Sequence, residues 1–217
     1  LDLVCVGTIS DIVPLVDENR VIAKLGLKLV EVTRNVGLKE LLNVSRYRKI
    51  DSITVSFGVA PRINACGRMG HAEEALKLFL TQNLVEAQAI TKKLEEYNQE
   101  RQNIEKRMFT EAKEQLDKEE EAKKGSIVLA SENWHHGVIG IVASKLTEIY
   151  YKPTILLCID GDTAKGSGRS IIGFDLHNAL CETSQSLERY GGHEMAVGLT
   201  LKSENIDKFK DDFEKLV

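Results

Sequence analysis

Two short glycine-rich stretches carry the side chains best suited to chemistry, Gly166-Ser-Gly-Arg-Ser170 and Tyr190-Gly-Gly-His193. The first offers Arg169 with the hydroxyls of Ser167 and Ser170. The second offers His193 behind Gly191 and Gly192. Glycines let a main chain approach a ligand closely, and Arg, hydroxyl and backbone N–H groups suit phosphate oxygens. Read as two small turns, the pair predicts a site for a phosphate-bearing partner.

Three further blocks carry reactive residue types. Asp11 follows Leu3–Thr8, an apolar, β-branched run that reads as a buried strand. Carboxylates at strand ends suit Mg²⁺ or Mn²⁺, and equally serve as caps or loop residues. Arg62, Asn64 and Arg68 lie within seven residues, in what reads as a polar, turn-rich block from Pro61 to Arg68. Two guanidinium groups and an amide suit a phosphodiester backbone, or a loop paired to neighbouring acids. Trp134-His-His-Gly-Val-Ile-Gly140 opens a helix. There His135 or His136 is an acid–base or ligand candidate, or a structural cap, and the glycines could bring a helix N-terminus to an anion. The Trp134 indole suits stacking on a base or packing in a core.

The elements that must position these residues follow from periodicity. Helical apolar spacing predicts helices over Asn19–Val32, Leu38–Val44 and Ala72–Leu80, while Ser52–Phe57 fits a helix or a strand. Between His71 and Lys124 there is neither Gly nor Pro. Asn83 with Glu86 makes a capping box. A narrow stripe (Ala87, Ile90, Leu94, Tyr97, Ile104, Met108, Ala112, Leu116) then predicts one helix of roughly 40 residues, about 60 Å long, too long for one compact domain. It reads as a connector, with the charge run Asp117–Lys124 as its solvated end. Beyond Gly125, strands at Ser126–Ala130 and Thr154–Ile159 flank a helix at Val138–Ile149, a βαβ unit. A helix at Leu176–Leu187, a strand at Met195–Leu201 and a helix at Ser203–Leu216 capped by Ser203 complete the chain.

Composition bounds the rest. With 29 basic and 33 acidic residues the net charge is −4, which excludes bulk basicity as the basis of nucleic-acid binding. The four cysteines show no C-x-x-C spacing, so reduced thiols are expected. No apolar run approaches the roughly 20 residues of a membrane span. With Leu1 almost inside the first expected strand, the sequence reads as a piece of a longer chain.

Taken in order, Gly7–Leu15, Ala60–Gly70, Asn98–Gln102, Trp134–Ser144, Gly166–Ser170 and Gly191–His193 resemble the motifs of the RecJ-type single-strand-specific exonucleases, of the DHH phosphoesterase superfamily. The resemblance covers nearly the whole chain. It implies an α/β protein with the C-terminal end of a DHH domain at 1–81, a long connecting helix at 82–124 and a DHH-associated domain with a mixed sheet at 125–217. It implies a two-metal Mn²⁺ or Mg²⁺ centre with Asp11 as one ligand. The Asp-His-His tripeptide is absent from these residues. Arg62, Arg169, Ser170 and His193 match positions that line the family's cleft, with His193 and Arg169 acting on the phosphate. Asn64, Arg68, His135, Ser167, Gly191 and Gly192 lie in the same motif blocks and are the further substrate-binding candidates. His136 stands where the family usually has Pro, and Cys66 where it usually has Ala. Further implications are single-stranded DNA as substrate, digestion from 5′ to 3′ in repair and recombination, a single-strand-binding protein and a helicase as partners, a monomeric state and a cytoplasmic location. Two rival readings are a phosphodiesterase of the same superfamily for oligoribonucleotides or cyclic dinucleotides, and a non-catalytic nucleic-acid-binding module.

Overall fold

The computed structural model describes all residues except 46, 48 and 119–123. Most of the predicted charge run at Asp117–Lys124 therefore lies outside the described residues. The chain folds as two compact units, Leu1–Arg101 and Gln102–Val217. The division falls inside the long helix.

The first unit is helical. It comprises α1 (Asp2–Ser10), α2 (Asp17–Glu31), α3 (Val36–Ser45), a π-helix (Thr54–Val59), α4 (Ala60–Arg68), α5 (Ala72–Leu80) and the first part of α6 (Leu84–Lys118). Two expectations fail here. The Leu3–Thr8 run is the helix α1 and not a strand. Its hydroxyls back-bond within the helix, Thr8 to the Val4 carbonyl at 2.9 Å and Ser10 to the Val6 carbonyl at 2.6 Å. Its buried residues Cys5, Val6 and Ile9 share one helical face, and that packing overrides the β-propensity of the segment. Packing against α2 is close because Gly26 has no side chain: a Cβ there would lie 2.3 Å from Cys5 Cβ.

The Pro61–Arg68 block is likewise helical, as α4. Pro61 lacks an N–H, and its ring would crowd the carbonyl four residues back in a continuous α-helix. The preceding turn widens into the π-helix, where the Ala60 N–H reaches Val55 O, five residues back. That accommodates the proline without ending the helix.

α6 follows the predicted stripe. Ala87, Ile90 and Leu94 enter the core of the first unit, whereas Met108, Ala112 and Leu116 enter that of the second. Asn83 caps it, accepting from Val85 N at 2.9 Å and Glu86 N at 3.2 Å. The capping box is modified: Thr81 takes the Asn83 N–H and bonds the Glu86 carboxylate.

The second unit is α/β. Its mixed sheet contains β1 (Ile127–Ser131), β2 (Thr154–Asp160), β3 (Thr163–Arg169), β4 (Arg189–His193) and β5 (Ala196–Lys202), in the order β1-β2-β3-β5-β4. β1 and β2 are parallel, joined through α7 (Ile139–Tyr150), and the other pairs are antiparallel. One sheet face packs with α7 and the end of α6 through Leu129, Leu156, Val142 and Met108. The other packs with α8 (Leu176–Glu182) and α9 (Ile206–Glu214) through Leu157, Leu199, Leu180 and Phe213. The helix expected to run to Leu187 stops at Glu182 and gives way to a 3-10 turn at Ser184–Ser186. Ser203 opens another 3-10 turn and bonds the Gly161 carbonyl instead of capping α9.

Candidate functional site: a cationic sheet face

The two glycine-rich segments are strands and not turns. Gly166 and Gly168 lie in β3, and their missing side chains make room for the core: a Cβ at 166 would meet Leu199 Cδ2 at 2.6 Å, and one at 168 would meet Val197 Cγ2 at 2.8 Å. The residues between them alternate to the opposite face. Lys165, Ser167 and Arg169 therefore stand in a row along one side of β3.

Register extends that row sideways. Arg169 pairs with Ala196, which pairs with His193; Ser167 pairs with Gly198, which pairs with Gly191; Lys165 pairs with Thr200, which pairs with Arg189. Residues far apart in sequence thus form three cross-strand rows on one face. Gly192, on β4, has φ +139°, and a Cβ there would sit 2.2 Å from Ala196 O. Only glycine fits that approach, which brings His193 back beside β5 through a two-residue turn.

Arg169 donates from Nη1 to Ser167 Oγ at 3.0 Å and to its neighbour's carbonyl, Gly168 O, at 2.7 Å. Gly140, in the first turn of α7, faces this pair: a Cβ there would lie 3.0 Å from both Arg169 Nη2 and Ser167 Oγ. The guanidinium lies beside the first turn of α7, a helix start where N–H dipoles favour anions. His193 is exposed, and its Nδ1 accepts the Met195 N–H at 3.3 Å. In the neutral ring the proton then sits on Nε2, as a donor facing outward.

The remaining predicted residues of this unit sort by what they touch. Ser170 is only 6% exposed, with its hydroxyl donated to Phe174 O at 2.7 Å, so it anchors the loop after β3. His135 Nδ1 accepts the Gly137 N–H at 3.1 Å, and its carbonyl accepts from Val138 and Ile139. It shapes the entry to α7. Its ring stacks on that of His136 at 5.0 Å, and it is His136 that lines the open groove. Trp134 is a core residue, with Nε1 donating to Glu111 at 3.0 Å.

In the first unit a cleft of about 910 Å³ brings together Asp11, Asn64 and Arg68, over a wall that includes Val6, Ile63 and Phe79. Arg62 is not in its lining. Two residues from Asn64 on α4, it points to the other side of the helix, pairing with Glu95 at 2.5 Å and bonding the Gly58 carbonyl. Asp11 ends α1, exposed at the cleft rim. Among the described residues no three His, Cys, Asp or Glu side chains cluster as metal ligands. One carboxylate does not fit a two-metal centre, so no step of chemistry is routed through a metal here.

Sequence reasoning missed Lys165, Arg189 and Thr200 on the sheet face; of the two histidines it offered, His136 is the one beside that face. The signal was present as the period-two spacing Lys165–Ser167–Arg169, hidden once the glycines were read as a turn. The four cysteines are free thiols. Burial pushes the Cys66 thiol up to about 11, with the Glu74 carboxylate adding to it. Among the described residues no helix is long and apolar enough to cross a membrane.

Residues 123–217 match the family model of the DHHA1 domain. The whole chain is 41% identical to the single-stranded-DNA-specific exonuclease RecJ of Bacillus subtilis, 28% of which it covers, and 35% identical to that of Escherichia coli, 40% of which it covers. Among solved structures, the crystal structure of RecJ in complex with Mg²⁺ from Thermus thermophilus matches with a TM-score of 0.90 at 36% identity, over 99% of this chain and 33% of that one. The Mn²⁺ complex of RecJ from the same organism matches equally, over 32% of its chain. The chain thus spans between 28% and 40% of the length of these curated relatives.

Proposed function

We propose that this chain, which belongs to the RecJ family and carries its DHHA1 domain, is the substrate-gripping portion of a metal-dependent exonuclease specific for single-stranded DNA. The reading includes hydrolysis of phosphodiester bonds from the 5′ end, in DNA repair and recombination. Its ions would be Mn²⁺ or Mg²⁺, as in the RecJ structures it resembles. Single-strand-binding protein and a helicase are the proposed partners, and a cytoplasmic monomer the proposed state.

The observation that carries this reading is the Arg169–His193 row. A guanidinium fixed by Ser167 and seated on a helix start, with an imidazole donor across the sheet, suits the oxygens of one phosphate. Arg169 supplies two-pronged hydrogen bonding and His193 a single donor. A guanidinium is no nucleophile, and the role proposed for Arg169 and His193 is to bind and orient the phosphate.

The test is Arg169→Ala in the full-length enzyme on labelled single strands at moderate salt. Losing a charge-assisted hydrogen bond of about 1.5–3 kcal/mol should lower kcat/KM by roughly 10- to 150-fold. Normal digestion by that variant would refute the role. The 217 residues alone, with one candidate metal carboxylate, should not hydrolyse DNA; robust manganese-dependent cleavage by them would overturn this part of the proposal.

A further inference from the structure

The sheet face has a second cationic end that the Arg169–His193 row does not use. A groove of about 370 Å³ opens on β3, β5 and β4, with Lys165, Ser167, Arg189, Gly198, Thr200 and His136 around it. No carboxylate lines it, although the chain as a whole carries net negative charge. Lys165 and Arg189 are exposed, flank Thr200 in register, and have no ion-pair partner among the described residues. The two like charges stand on the strands either side of β5, about 10 Å apart at ~4.8 Å per strand, and gain nothing from each other. Their placement becomes favourable when an anion lies between them.

The floor of the groove points the same way. Gly198 is exposed in a central strand, opposite Gly191, and a Cβ on either would meet nothing within 4 Å. Core packing therefore does not require these glycines, in contrast to Gly166 and Gly168. A strand glycine loses entropy and packs nothing, and is suited to a place where another chain passes close to the backbone. The Arg169 row and the Lys165 row lie four residues apart along β3, about 13 Å at ~3.3 Å per residue. Ser167, Gly198 and Gly191 form the row between them, with the exposed His136 also lining the groove.

We infer that Lys165, Arg189 and Thr200 form a second phosphate subsite, one or more nucleotides removed from the Arg169–His193 subsite, and that a single nucleic-acid strand lies across Gly198 and Gly191 between the two. The inference rests on the substrate-gripping reading above. It adds a length requirement: a dinucleotide reaches one subsite, whereas a longer strand reaches both.

The test uses the full-length protein in EDTA, so that binding is read without cleavage, with fluorescent oligothymidylates of two and of twelve nucleotides. In the Lys165→Ala/Arg189→Ala double variant, affinity for the twelve-mer should fall tenfold or more, the slope of log K against log salt should shrink by about 1.4, at roughly 0.7 per lost single-strand phosphate contact, and dinucleotide affinity should not change. Lys165→Arg should retain the slope. Gly198→Val places its side chain in open space, so it should fold normally and still weaken the twelve-mer. If the double variant and Gly198→Val bind the twelve-mer like wild type while Arg169→Ala does not, the second subsite is wrong and the first reading stands. If Arg169→Ala also binds like wild type, both fall.

Discussion

The candidate residues of the helical unit and of the sheet unit meet different fates. On α4, Arg62, Asn64 and Arg68 are close in sequence, yet helical geometry sends Arg62 to Glu95 and leaves Asn64 and Arg68 on the cleft with Asp11. On the sheet, Lys165 and Arg169 come from β3 and Arg189 and His193 from β4, two strands well separated in sequence, yet strand register sets all four on one face. Nearness along a chain gathers side chains only when its period matches the element. A pleated sheet adds cross-strand neighbours that a single helix cannot supply.

The largest effect is expected at the glycines of β4. Gly192→Val must leave φ +139° and clear Ala196 O, so strain and overpacking together should cost about 2–6 kcal/mol. Gly191→Ala, one residue away with open space around its Cβ, should stay within about 1 kcal/mol of wild type. Denaturant midpoints of the two variants measure the difference. Equal midpoints would mean that the hairpin does not depend on that close approach.

A smaller effect is expected at Trp134→Phe. It leaves Glu111 without its indole donor in a partly buried setting, for a loss of about 1–3 kcal/mol. On α4, Arg62→Ala removes the bonds to Glu95 and Gly58 O, with Glu95 45% exposed and screened by water. About 1 kcal/mol of stability should go, while Asn64→Ala should cost less than about 0.5 kcal/mol. An Asn64→Ala variant that unfolds sooner than Arg62→Ala would reverse the assignment of structural and cleft-facing sides.

The smallest effects are those of the thiols. At pH 8 a thiol with a pKa of about 11 is ionised to roughly one part in a thousand. Exposed Cys181 should therefore be alkylated first and buried Cys66 last, only on opening. Because the folded value lies above the ordinary 9.0, the stability that goes with neutral Cys66 is complete below about pH 9. It declines as pH rises towards 11. Early labelling of Cys66 at pH 8 would show that α4 opens readily.

Much of the architecture was legible in the residues. α5 occupies the predicted range, and α2, α3, α7, β1 and β2 lie within two residues of theirs at most ends. The long α6 was legible because it has no Gly or Pro and a sustained apolar stripe. What misled was local chemistry with two meanings. Val and Thr in α1 favour a strand until Gly26 lets that helix nest on α2. Glycines in β3 signal a turn until Leu157 and Leu199 are seen to occupy the space where their side chains would be. Ser170 offers a hydroxyl that its neighbours have already claimed.

The sequence alone determined the kind of protein, because helix periods, the βαβ pattern and an ordered series of short motifs are properties of one chain read end to end. It also determined that Arg169 and His193 suit a phosphate, since that follows from side-chain chemistry. Only the tertiary structure decided that these two share a row, that Lys165 and Arg189 share another, and that Arg62 belongs to neither. Those outcomes depend on strand register and helix facing, which are settled by packing between residues tens of positions apart.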